Sequence, residues 1–212
     1  MKLKNKYLTI TCDGGAATGK STGAKLIAKK YKLPLMSSGL LYRYASYLIL
    51  KYKPENIYTF LRKRFNKLKY KKLFKYNLQS NEISIYSAKI AKRLVIRNIL
   101  KKYQKNFIKN SKGCVLEGRD ASTKILPNSD VKFFFICSLN IAARRRYKEL
   151  KKKSQKITYN EVKTALNLRN ISDKNRKHSP LKKHKNAVVV DTGKLNKKAM
   201  LDKMSKYVEK IL

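Results

Sequence analysis

Between Tyr7 and Lys30 the chain passes from a β-rich run, Tyr-Leu-Thr-Ile-Thr-Cys at Tyr7 to Cys12, through Asp13-Gly14-Gly15 into a helical pattern. The junction reads Gly14-Gly15-Ala16-Ala17-Thr18-Gly19-Lys20-Ser21, which fits the phosphate-loop pattern G-x-x-x-x-G-K-[ST]. This segment constrains the fold more than any other, because the pattern works only between a strand and the start of a helix. Glycine at its ends lets the backbone wrap an anion, and successive N–H groups at the helix N-terminus supply the donors. The chain has only 8 Gly, so the match is not a by-product of a glycine-rich background. Gly14, Gly15, Ala16, Ala17, Thr18, Gly19, Lys20, Ser21 and Thr22 are therefore predicted to hold a nucleoside triphosphate. Lys20 would reach its β- and γ-phosphates, and Ser21 would ligate Mg²⁺.

The rest of the chain alternates apolar runs with helical patterns. Leu33 to Met36 is short and apolar, and the helical pattern from Gly39 to about Tyr52 is closed by Pro54. Glu55 to Tyr76 reads as helical and rich in Lys and aromatics, Glu82 to Tyr86 alternates like a strand, and Ser87 to about Lys109 reads as one long helix. Gly113 to Leu116 and Val131 to Cys137 look like fully buried strands. Ser138 is placed to cap a helix to about Lys153, and Thr158 with Glu161 makes a capping box for another through Asn175. Asn186 to Asp191 is a last strand and Leu195 to Leu212 a closing helix. This order predicts an α/β fold with a parallel sheet flanked by helices.

Charge is the other prominent feature: 53 Lys plus Arg against 12 Asp plus Glu give a net charge of +41 over 212 residues. A nucleic-acid or membrane binder is the first reading of such a value. The excess consists of 42 Lys and 11 Arg, with Lys spread from Lys2 to Lys210. Asn, Ile and Tyr are abundant and Trp is absent, so the residues favoured are those of A/T-rich codons. Runs such as Lys151-Lys152-Lys153 then read as solvated helix faces, and no dedicated nucleic-acid site is expected. The longest apolar run, Phe133 to Cys137, falls far short of the ~20 residues of a membrane span. Met1 to Lys6 leads so soon into the glycine loop that no signal peptide is expected. Cys12, Cys114 and Cys137 lack metal-ligand spacing and are expected to be buried free thiols of a reducing, cytoplasmic compartment.

Against a Lys background, Arg becomes informative, since guanidinium makes rigid bidentate contacts with phosphate that ammonium does not. Arg43, Arg97, Arg119, the run Arg144-Arg145-Arg146, and Arg169 with Arg176 contain 8 of the 11. Arg169, Asp173 and Arg176, spaced i, i+4, i+7, share a helix face. Spacing alone admits either an exposed ion-pair ladder or two guanidiniums held by a carboxylate. His178 and His184 read as solvated loop residues, and Asp13 as either a group supporting Mg²⁺ from behind its ligands or, the preferred reading, a turn former.

Several segments together resemble bacterial cytidylate kinases. They are Asp13 to Thr22, Ser37-Ser38-Gly39-Leu40-Leu41-Tyr42-Arg43, Glu117-Gly118-Arg119-Asp120, Leu126 to Phe134, Ala143 to Leu150, Arg169 to Leu181 and Val189-Val190-Asp191-Thr192. The resemblance implies a nucleoside-monophosphate kinase fold with a core (1–38, 110–142, 186–212), a monophosphate-binding insert (about 39–109), and a lid (about 143–160) followed by a helix and basic loop (161–185). It implies transfer of the γ-phosphoryl group of ATP to CMP or dCMP by a monomer, with Mg²⁺ accompanying ATP. Ser38, Arg43, Arg97, Arg119, Asp120, Arg169, Asp173 and Arg176 would surround the monophosphate. Arg97 and Asp120 would read the base, and Arg43 and Arg119 would grip the acceptor phosphate. Lys20 and Arg119, with Arg145 and Arg146 of the lid, would stabilise the transferring group.

Four positions depart from the family pattern. Ser37 and Glu117 stand where it has Asp, Ala17 where the loop often has Gly, and Ala88 where a serine contacts cytosine. The alternatives are a kinase of another acceptor such as UMP, and a P-loop nucleic-acid-binding protein using its Lys and 14 Tyr.

Overall fold

The computed structural model describes residues 7–152 and 156–212. The readings made on Met1 to Lys6, and on Lys153 within the lid, lie outside the described residues. Among these residues the chain divides into two compact units, one containing the segments up to Met36 and from Lys112 onward, the other Ser37–Ser111.

The first unit is built on a five-stranded sheet in the order β2-β3-β1-β4-β5. The strands are β1 (Thr9–Gly14), β2 (Leu35–Ser37), β3 (Cys114–Gly118), β4 (Val131–Ile136) and β5 (Val188–Asp191). β1 lies between β3 and β4 in parallel register, and β5 runs parallel to β4. Parallel strands need crossover connections, which here carry helices. α1 (Lys20–Lys30) follows β1, α6 (Leu139–Lys151) and α7 (Tyr159–Asn175) separate β4 from β5, and α8 (Lys197–Glu209) closes the chain.

Ile10, Cys12, Val115, Phe133, Phe135 and Val190 of the sheet pack with Ala24 and Ile27 of α1 and Met200, Met204 and Val208 of α8. A second apolar cluster joins Ala16 of the loop to Ala142, Ala143, Leu150, Val162 and Leu166 of α6 and α7. The predicted capping box is present, with Thr158 and Glu161 bonded reciprocally. Ser138 caps α6, which ends at Lys151.

β3 is buried throughout, as its apolar run implies. β4 is not: Val131, Phe133 and Phe135 are buried, Phe134 is half-buried and Ile136 is exposed, so its second face is only partly covered. Asp13 is also not a turn former. It is the last residue but one of β1, has no exposed surface, and accepts hydrogen bonds from Ala121 N (2.8 Å), Ser122 N (2.7 Å) and Ser122 Oγ (2.6 Å). A carboxylate so placed fixes the π-helical turn Ala121–Ile125 that follows β3 and Asp120. Of the thiols, Cys12 and Cys114 are buried but Cys137 is half-buried. Burial pushes Cys12 well above the usual thiol range and Cys114 to about 11.

The second unit is helical: α2 (Ser38–Tyr52), α3 (Ile57–Asn66), α4 (Asn81–Ile90) and α5 (Leu94–Lys109), with a 3-10 turn at Tyr70–Lys75. Its interior joins aliphatics to rings, with Tyr44 5.9 Å from Phe65 and 5.1 Å from Tyr76, and Phe65 5.7 Å from Tyr103. The strand expected at Glu82 to Tyr86 is a turn of α4. Ser80 caps that helix through Ile83 N, and the buried positions Ile83, Ser84, Ser87 and Ile90 follow helical spacing while Ile85 is exposed. The single helix expected from Ser87 to Lys109 is broken after Ile90, where Arg97 Nη1 donates to the Ala91 carbonyl at 3.1 Å.

Candidate functional site

The sheet unit brings the loop between β1 and α1 together with the end of β3, α7 and the end of β5. Gly19 adopts φ 81°, a left-handed conformation natural to glycine. Ala17 is left-handed too, at φ 56°, which explains why related loops favour Gly there. A Cβ on Gly14 would stand 2.5 Å from the Phe135 carbonyl oxygen, so only glycine lets β1 enter the loop beside β4.

Lys20 is buried, and its Nζ donates to the Gly15 carbonyl at 3.1 Å. Glu117, at the end of β3, accepts from Ser21 Oγ at 2.7 Å and lies 3.7 Å from Lys20 Nζ. Burial, then the charge of Arg119, brings the Lys20 ammonium down to about 7, with Glu117 opposing and Arg169 adding to the fall. Two guanidiniums thus lie close enough to Lys20 to make its protonation costly, an arrangement suited to an incoming polyanion.

Arg119 shares its anchor with a third guanidinium, that of Arg176. Arg119 Nε donates to Asp173 Oδ2 at 2.8 Å, and Arg176 Nη1 to Asp173 Oδ1 at 3.3 Å. Arg176 Nε also donates to the Ser179 carbonyl at 2.6 Å, and Leu181 N to the Asp173 carbonyl at 2.8 Å. Burial alone would raise Asp173, but Arg119, Arg169 and Arg176 hold its carboxyl below the ordinary range. Asp173 does hold two guanidiniums, but those of Arg119 and Arg176, and the expected common helix face does not extend to Arg176, because α7 ends at Asn175 and Arg176 follows it in extended conformation. Of the two, Arg119 comes from the end of β3 and not from the helix. Asp120, also at that turn, is buried beside Asp13.

Arg145 and Arg146 part company. Arg145 donates to Thr192 Oγ1 (2.8 Å) and to the Thr192 carbonyl (2.7 Å), and Thr192 Oγ1 donates to Thr18 O at 2.8 Å. This links α6 to the loop through the residue after β5. Arg146 instead pairs with exposed Glu149 at 3.1 Å, one turn along α6.

In the helical unit, Ser38 Oγ donates to Gln104 Oε1 at 2.7 Å. Arg43 Nη1 donates to the Leu78 carbonyl (2.9 Å) and Ser84 Oγ (2.8 Å). Arg97 lies over the Tyr42 ring, 5.7 Å from its centroid. Next to Ala88, Ser87 is buried and donates to the Ser84 carbonyl at 2.8 Å.

Sequence reasoning did not nominate Glu117, Thr192, Asn170, Ser84 or Gln104. A lone acid ending a buried strand was a usable signal for Glu117. The others become visible only through contacts between distant segments. Among the described residues no group of His, Cys, Asp and Glu forms a metal cluster, and no helix is long and apolar enough to cross a membrane.

The cytidylate kinase family model matches residues 10–210. A cytidylate kinase of Bartonella tribocorum is 35% identical over 98% of this chain and 97% of its own. One from Thermosipho melanesiensis is 36% identical, covering 94% and 96%. Among solved structures, a shikimate kinase from Bacteroides thetaiotaomicron superposes with a TM-score of 0.53 at 12% identity, covering 95% of this chain and 98% of that one. At that identity the likeness speaks to the fold, that of a P-loop kinase.

Proposed function

Since the chain belongs to the cytidylate kinase family, we propose that it transfers the γ-phosphoryl group of ATP to CMP or dCMP, giving ADP and CDP or dCDP. An oxygen of the acceptor's phosphate attacks the γ-phosphorus and the bond to the ADP oxygen breaks. The attacking oxygen is already anionic, so no general base is needed. The work is alignment and charge stabilisation with water excluded.

The observation that carries this reading is the grouping on one unit of buried Lys20 with half-buried Arg119 and buried Arg176, both held by Asp173. Lys20 would hold the donor phosphates, and Arg119 the phosphate between donor and acceptor. Arg169, Asp173 and Arg176 would address the acceptor, Asp120 and Arg97 the base, and Arg43 and Ser38 the monophosphate. Arg145 and Arg146 would act from the lid, Arg146 exchanging Glu149 for phosphate. The oxygen donors of Ser21 and Glu117 suit a hard cation. Ser21 would ligate Mg²⁺ carried in with ATP, and that ion supplies charge neutralisation on the phosphates. We place the protein in the cytoplasm as a monomer acting on small nucleotides, without a dedicated nucleic-acid site.

One observation favours a relaxed base preference. The hydroxyl next to Ala88 in sequence, that of Ser87, donates to the Ser84 carbonyl and does not replace the serine that the family pattern has at Ala88. UMP is therefore expected as a slower acceptor. Coupled ADP-release assays with CMP, dCMP, UMP, AMP and no acceptor test the assignment. Release that depends on CMP supports it, equal release without acceptor refutes kinase action, and a preference for AMP or UMP refutes the acceptor.

A further inference from the structure

Beyond Gly118, which pairs with Asp13 across the β1–β3 ladder, the chain leaves the sheet through Arg119 and Asp120 and enters the π-helical turn Ala121–Ile125. The first N–H groups of a helical turn have no acceptor within it. Asp120 stands at the N-cap, where an aspartate ordinarily supplies that acceptor, yet its side chain makes no capping bond. The cap comes from another strand. Asp13 Oδ1 accepts the Ala121 N–H at 2.8 Å, and Asp13 Oδ2 accepts the Ser122 N–H at 2.7 Å and the Ser122 hydroxyl at 2.6 Å.

Asp13, Ala121 and Ser122 have no exposed surface, and Asp120 is buried close by. Burial pushes the Asp13 carboxyl above its usual range, the Ser122 and Ala121 donors oppose that rise, and the charge of Asp120 adds to it. Two buried carboxyls side by side are unfavourable, and Asp120 capping its own turn would avoid the pairing. The arrangement adopted leaves the Asp120 carboxyl out of capping. The charge on Asp13 then opposes its return to the same two N–H groups.

We propose that Asp13 is a positioning residue for the acceptor nucleotide: by capping the turn in place of Asp120, it reserves the Asp120 carboxyl for the acceptor's base. This rests on the kinase reading, in which Asp120 reads that base. A carboxylate is required at Asp13 because both of its oxygens face N–H donors. An amide would have to set its NH₂ against one of them.

The test is calorimetric binding of CMP and ATP, with thermal melting, for wild type, Asp13→Asn, Asp120→Ala and the double variant. Asp13→Asn is expected to bind CMP at least about tenfold more weakly, as Asp120 is recaptured by its own turn, with ATP affinity within about threefold of wild type. In the Asp120→Ala background the same change should weaken CMP binding less than about threefold, because the group it acts through is gone. A purely structural Asp13 would lower the melting temperature and leave both affinities of the folded protein alone, and that result overturns the proposal. Equal losses for CMP and ATP overturn it too, as does an Asp13→Asn loss as large without the Asp120 carboxyl as with it. If either variant carrying Asp13→Asn does not fold, Ser122→Ala decides alone. Removing the shortest of the three bonds should weaken CMP about threefold and ATP not at all, and unchanged CMP binding overturns the proposal. Wild type that neither binds nor turns over CMP sinks the kinase reading and this proposal with it, whereas intact CMP turnover with unaltered CMP binding in the variants sinks this proposal alone.

Discussion

The sheet unit and the helical unit hold their arginines differently. In the sheet unit Arg119 and Arg176 converge on one buried carboxylate, Asp173, across 54 residues of sequence for Arg119. In the helical unit the contacts of Arg43 include the Leu78 carbonyl and the Ser84 hydroxyl, and those of Arg97 include the Ala91 carbonyl. A carboxylate fixes a guanidinium strongly and offsets its charge, at a desolvation cost that only good geometry repays. A neutral oxygen aims a guanidinium less firmly than a carboxylate does. The first arrangement suits the place where charge moves during reaction, the second a place where a substrate is merely held.

Breaking the carboxylate anchor should have the largest effect. Asp173→Asn leaves buried guanidiniums uncompensated, a change of about 3–5 kcal/mol in stability, and turnover should fall at least a hundredfold as Arg119 loses its bearing. The pH dependence has a definite sign. The folded Asp173 carboxyl lies below the unfolded value of about 4, so its stabilisation is present above that pH and is lost as pH falls through the folded value. The gap in melting temperature between wild type and Asp173→Asn should therefore be widest near neutrality and close below about pH 4.

On the neutral side, Ser84→Ala removes one of the oxygens aiming Arg43. KM for CMP should rise about tenfold with kcat changed less than threefold, against the joint loss expected at Asp173. Ala88→Ser offers the base a hydroxyl that Ser87 does not, and should sharpen the ratio of CMP to UMP turnover by about three- to tenfold. The smallest effect is expected in the loop. Ala17→Gly relieves a left-handed alanine, worth about 1 kcal/mol or 2–4 °C in melting temperature.

The same two units differ in how far the sequence discloses them. In the sheet unit the phosphate loop, the buried run of β3 and the capping box at Thr158 each have a local cause, and each appears as expected. In the helical unit, Ser84 and Ser87 face inward and Ile85 faces out, so apolar alternation imitates a strand across a helix. The site divides similarly. Spacing predicts one face for Arg169, Asp173 and Arg176, yet α7 ends before Arg176, and nothing in the spacing signals that Asp173 would bind Arg119. Asn170 and Thr192 act through single contacts with backbone groups of the loop, which no pattern of neighbours foretells.

The central claim is that guanidinium geometry, and not the diffuse charge of +41, makes this site. Arg119→Lys keeps that charge and removes the fork, so CMP-dependent ADP release in this variant is the most direct measurement. The expected result is a fall of at least about a hundredfold in kcat/KM for CMP with ATP binding changed little. Turnover within about threefold of wild type would contradict the claim, because a point charge would then serve where a planar fork was held to be required.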